Sequence, residues 1–425
     1  MVESADAEPD GPSPEAPARS REGVAGSPAG PIAALEVVFL LIAGAALLIA
    51  GALLFAVQSG KLPYYENGLY GLLLVVFSLQ ITTLGKTPFG ELGRSVPLIV
   101  AGVAIGVVGL FASFIPDTVT WLPRLLVFLC LAPGGLILLV RMLLASDKLR
   151  TWMRLGGTLF PRLSVACLAV YGMSMLAGTL VLRKDLLSPH ATAGAVLGFG
   201  AAVVYLAAVL NEVYREYPEA ARPRDRGVSL STDQVLILFT GVLLLLLGAL
   251  LVPVNLGLLP FAGSAQVGVL VVLLALKLLA TGDTPVGTFP RSGPVVSLGM
   301  VFAALGIVSC IVPDLLVQPL MIFVGLLNIA GGLLGLWQLS APRRQKAPKP
   351  PGEVPPILKR LTVTQLALNL TTILFGLSVF VAGLLPGLVV GVVLFLNGCV
   401  LLYLLYIVVA VDRMRAEMLR AEAGN

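Results

Sequence analysis

The chain has 425 residues, of which 57% are apolar and only 12% charged, with a formal net charge of +5. A soluble domain carries about 25% charged residues, and a membrane-spanning helix needs about 20 apolar ones. The composition therefore excludes a soluble enzyme, a disordered chain and a disulfide scaffold. Continuous rather than alternating apolar runs exclude an outer-membrane barrel.

In chain order, residues 1–31 come first, rich in Pro, Ala, Gly and acid. They lack the basic stretch leading into an apolar core that a signal peptide needs, and are expected to form a disordered cytoplasmic tail. Apolar runs then predict twelve spans, at roughly 34–57, 68–84, 96–115, 122–143, 164–183, 191–213, 234–254, 265–281, 294–312, 316–339, 361–383 and 388–411. The expected fold class is an all-α polytopic membrane protein with about twelve transmembrane helices in two parallel tandem six-helix halves. The first repeat occupies 32–215, a cytoplasmic linker 216–232, the second repeat 233–413 and a cytoplasmic tail 414–425.

The tandem reading rests on a 197-residue offset. Gly85-Lys-Thr-Pro-Phe-Gly-Glu-Leu-Gly-Arg94-Ser-Val-Pro97 lies over Gly282-Asp-Thr-Pro-Val-Gly-Thr-Phe-Pro-Arg291-Ser-Gly-Pro294. Of the 33 positions from 85 to 117, eleven are identical, all Gly, Pro, Thr, Ser, Arg or Asp. Unrelated apolar helices would match at Leu, Val or Ala instead. An even number of spans per half makes both halves face the same way, which is a parallel repeat.

With twelve spans, 24 of the 28 Lys and Arg residues fall on one side and four, Lys61, Arg124, Arg183 and Lys184, on the other. The positive-inside rule then places both termini in the cytoplasm. This asymmetry accounts for the basic charge, so no nucleic-acid partner is expected. Three stretches on the basic side, Asp147–Leu163, Ala341–Pro356 and Asp412–Glu422, read as contacts to anionic lipid headgroups. The four cysteines lie in apolar runs and there is one histidine, His190. No metal site, cofactor or disulfide framework is signalled.

The loop shared by the two halves holds Thr87, Arg94 and Ser95, and again Thr284, Arg291 and Ser292. It admits two readings. In one it is a helix-entry device, with Pro in the first turn, Ser at the N-cap and Arg as an interface anchor. In the other it binds an anion or a lipid headgroup, using a helix N-terminus and an adjacent guanidinium. Gly85-Lys86-Thr87 is not a P-loop, because the glycine that pattern needs is Gln80. Lys277, Asn328, Asn369 and Asn397 are polar residues within spans. They either line a solute pathway or bond between helices.

Each half divides into three helix hairpins with glycines in both helices, best seen in Gly102…Gly109…Phe-Ile-Pro116-Asp117…Gly134-Gly135. This pattern resembles the HdeD-type family of small bacterial inner-membrane proteins, associated with acid resistance and stress. The resemblance implies a double-length version and brings no catalytic residues. The expected function is a non-enzymatic membrane protein acting in envelope stress or as a membrane-embedded partner in homo- or hetero-oligomers. The alternative is a secondary transporter or channel for a small solute.

Overall fold

The computed structural model describes residues 34–92, 94–116, 120–144, 158–217, 231–290, 292–340, 356–381 and 386–423. Among them, twelve helices are long and apolar enough to cross a membrane. The first six are α1 (Leu35–Gln58), α2 (Glu66–Leu84), α3 (Val96–Phe114), α4 (Trp121–Leu144), α5 (Leu159–Leu182) and α6 (Pro189–Glu216). They are followed by α7 (Thr232–Asn255), α8 (Gly263–Thr281), α9 (Gly293–Ile311), α10 (Val317–Ser340), α11 (Pro356–Phe380) and α12 (Gly387–Ala423). Two small antiparallel hairpins interrupt them, β1 (Lys86–Thr87) with β2 (Gly90–Glu91), and β3 (Asp283–Thr284) with β4 (Gly287–Thr288).

Every expected span coincides with one helix. The differences are at the ends. α5 starts at Leu159, taking in the exposed Arg162, and α12 continues past Asp412 to Ala423. The expected tail 1–31 lies outside the described residues. So do 218–230 of the expected linker, 147–157 of the first basic stretch and 341–355 of the second.

Helix ends meet in the alternating sense that spanning requires. Gln58 at the end of α1 donates to the Pro189 carbonyl at the start of α6, at 2.6 Å. At the other membrane face, Tyr214 near the end of α6 donates to Glu36 in the first turn of α1. The face with the start of α1 and the end of α12 is the terminal face; the opposite one is the far face.

The helices pair as α1 with α6, α2 with α3 and α4 with α5, and then as α7 with α12, α8 with α9 and α10 with α11. Lipid offers no hydrophobic drive between helices, so close packing and hydrogen bonds must hold the pairs. Glycine supplies the close approach. A Cβ on Gly109 would lie 2.7 Å from the Gly71 carbonyl oxygen, and one on Gly306 would lie 2.7 Å from that of Gly268. The α1–α6 pair meets at Gly44 and Gly200, and the α7–α12 pair at Gly241 and Gly398.

α2 and α8 form the centre, with 83% and 72% of their apolar windows buried. One apolar core joins α1–α3 to α7–α9 through Phe39, Leu72 and Phe114 on one side and Leu243, Leu276 and Ile307 on the other. The seam also carries two backbone hydrogen bonds. Tyr65 N–H donates to the Ile311 carbonyl at 2.8 Å, and Ala262 N–H donates to the Phe114 carbonyl at 2.9 Å. The two donors are 197 residues apart (262 − 65), and so are the two acceptors (311 − 114). α7, α8 and α9 likewise begin and end 197 residues after α1, α2 and α3.

Candidate functional site

The hairpin β1–β2 sits on the terminal face between α2 and α3. α2 stops at Gly85, whose φ of 65° reverses the chain. The turn is closed by Thr87, whose hydroxyl donates to the Gly90 carbonyl at 2.7 Å and accepts from Phe89 N–H at 3.2 Å. Thr284 makes the equivalent bond to the Gly287 carbonyl at 2.8 Å. Both threonine hydroxyls are thus committed to their turns. Ser95 and Ser292 occupy N-cap positions, but neither side chain makes a capping hydrogen bond. The prolines of both helix entries lie in the first turn, as expected. Arg94 is half-buried, and Arg291 lies outside the described residues.

The hairpin tips dock onto neighbouring helices. The Pro88 carbonyl would be 3.0 Å from a Cβ on Gly134 of α4, and that of Pro285 would be 2.7 Å from a Cβ on Gly331 of α10. The Arg141 guanidinium lies against Gly90, 2.2 Å from where a Cβ would sit. Beside the first hairpin, Lys86 Nζ lies 2.5 Å from Glu36 Oε2, which also accepts from Tyr214. This ties the hairpin to α1 and α6.

Lys277, Asn328, Asn369 and Asn397 are distributed over α8, α10, α11 and α12. Asn328 donates to the Val324 carbonyl of its own helix at 2.8 Å. Asn369 packs against Gly335 of α10. Asn397 accepts from Thr371 at 3.0 Å, linking α12 to α11. Lys277 is half-buried one turn from the end of α8.

The densest polar constellation lies on the far face. Glu66, in the first turn of α2, receives Arg124 Nη2 of α4 at 2.8 Å and Lys184 Nζ at 2.6 Å on one carboxylate oxygen. Its other oxygen accepts from Tyr70 at 2.5 Å. Tyr64, in the loop just before α2, is pushed above the usual phenol range by burial and by the Glu66 charge. Next to the Glu66 bridge is an open cavity of about 640 Å³ lined by Arg124, Leu182, Arg183, Lys184, Asp185 and Leu186. The residues 197 positions after Glu66, Tyr70, Arg124 and Lys184 are Gly263, Val267, Met321 and Val381, so the cluster has no counterpart there.

Sequence reasoning missed this cluster. It counted Arg124, Arg183 and Lys184 only as the minority of basic residues on the far side. The signal was that three of those four residues share a carboxylate or a cavity, but the partners are 58 and 118 residues from Glu66. No family model matches the sequence, and the searches of curated proteins and of solved structures match nothing either.

Proposed function

We propose that the protein is a non-enzymatic membrane protein whose central seam is a permanent structural joint. In this reading it is an HdeD-like tandem protein of a bacterial inner membrane, with both termini cytoplasmic, and it serves as a membrane-embedded partner in the envelope. The observation that carries the reading is the seam between α1–α3 and α7–α9. It is apolar, and it is closed by a reciprocal pair of backbone hydrogen bonds. A transporter must open such a seam to water on each side in turn. Backbone bonds between Tyr65 and Ile311, and between Ala262 and Phe114, oppose opening at the far face. The 197-residue correspondence of elements supports a tandem origin, with the two copies joined by like surfaces.

Cysteine accessibility tests this. Cys310 is fully buried near the far-face end of α9, and Ala280 is buried near the terminal-face end of α8. Single-cysteine versions at 310 and 280 (Ala280→Cys) should resist N-ethylmaleimide in native membranes and react only after denaturation. A cysteine at exposed Ser59 should react at once. Labelling of 310 or 280 in native membranes would show that the seam admits water, and would favour transport.

A further inference from the structure

We propose that the far-face cavity is a binding site for a phosphate group at the membrane surface. Its wall holds three cations, Arg124, Arg183 and Lys184, against one carboxylate, Asp185. Glu66 stands beside the wall and takes charge from two of the cations, so two carboxylates in all face three cations. The bridge does more than neutralise. By accepting from Arg124 and Lys184 on a single oxygen, Glu66 holds both cationic heads at the cavity edge, which is the preorganisation an anion site needs.

Donors remain to be used. Arg124 lines the cavity with a side chain that is 34% exposed, although its Nε, unpartnered among the described residues, is itself sealed from it. The Arg183 side chain is exposed and makes no hydrogen bond or ion pair among them. A guanidinium presents a planar fork that matches phosphate oxygens. The cavity thus offers donors from two guanidinium groups and an ammonium within one concave surface.

The surroundings point to the membrane interface. Leu182 and Leu186, which line the cavity, are 55% and 52% exposed, and Trp121, one turn before Arg124, is 65% exposed. Tryptophan favours the headgroup level of a bilayer, and the leucines offer an apolar surface to an acyl chain. The phosphate can be supplied by an anionic lipid headgroup or by a free anion, and the two sources are separable.

The experiment titrates purified protein in neutral detergent with dihexanoyl phosphatidylglycerol, with dihexanoyl phosphatidylcholine and with inorganic phosphate, reading the melting temperature. The variants are Arg183→Gln and, as a control of equal charge change on the same face, Lys61→Gln. Neither side chain bonds to another described residue, so the fold is retained. Phosphatidylglycerol should raise the wild-type melting temperature saturably. Arg183→Gln should need about tenfold more lipid for half the effect, as expected for losing a charge-assisted contact. Lys61→Gln should behave as wild type. A saturable, Arg183-dependent response to inorganic phosphate equal to that of the lipid would assign the site to a free anion. An unchanged response in Arg183→Gln, or an equal loss in both variants, would overturn the proposal.

Discussion

The glycine contacts make a quantitative prediction at Gly268 of α8. A Cβ there would lie 2.5 Å from the Gly306 carbonyl oxygen and 2.7 Å from Cys310 N. Both are backbone atoms of α9, so no side chain can turn aside. Ordinary contact begins at 3.4 Å, so Gly268→Ala must part the two helices by about 0.9 Å (3.4 − 2.5). Alanine returns about 1 kcal/mol in helix propensity. Against that, overpacking costs about 1–3 kcal/mol, and a gap of this size forfeits a quarter to a half of the dispersion attraction along the seam. The expected net loss is about 2 kcal/mol, or roughly 2–4 °C in melting temperature for a chain this long. The controls are Gly172→Ala in α5 and Gly194→Ala in α6, where nothing lies within 4 Å of the new Cβ. These should melt at or above the wild-type temperature. Thermal unfolding in one detergent, followed by tryptophan fluorescence, compares all four proteins. If Gly268→Ala melts with the wild type, or Gly172→Ala falls as far, close backbone approach is not what holds α8 to α9.

Two other substitutions have defined outcomes. Ser231→Ala removes the capping box at the start of α7, where Ser231 accepts from Gln234 N–H at 3.2 Å and Gln234 accepts from Ser231 N–H at 2.9 Å. It should cost about 1 kcal/mol of stability in denaturant titration. Glu66→Gln should destabilise less than the number of its partners suggests. Arg124 and Lys184 are 34% and 51% exposed, and screening holds each pair below about 1 kcal/mol. The difference from wild type should shrink when the melt is repeated in high salt. An effect independent of salt would locate the role of Glu66 in packing instead.

The spans were legible because each is a long apolar run, and length alone separates such runs from soluble helices. The ends were less so. Arg162 looked like a boundary, yet an arginine in the first turn of α5 is tolerated because its long side chain reaches toward water. The hairpins at Thr87 and Thr284 were recognised as a shared loop. Their chemistry was not, because a threonine that could donate to an anion is indistinguishable in sequence from one that closes its own turn. The Glu66 cluster was invisible for another reason. Its members come from α2, α4 and the turn after α5, and nothing local in any of those segments marks them as neighbours. Only the packing of α2 against α4 and of α4 against α5 brings them to one place.

The reciprocal seam also sets a schedule. The amide of Tyr65 emerges from synthesis 246 residues (311 − 65) before the carbonyl that receives it. At about 5–20 residues per second, that is a wait of roughly 12–50 s. During this interval α2, the most enclosed helix of the finished protein, has its partner face open to lipid and its first amides open to the interface. Closure of the centre therefore waits for α9, after the whole first half has been made. A quality-control protease patrolling the membrane would meet this chain with its core side still outward.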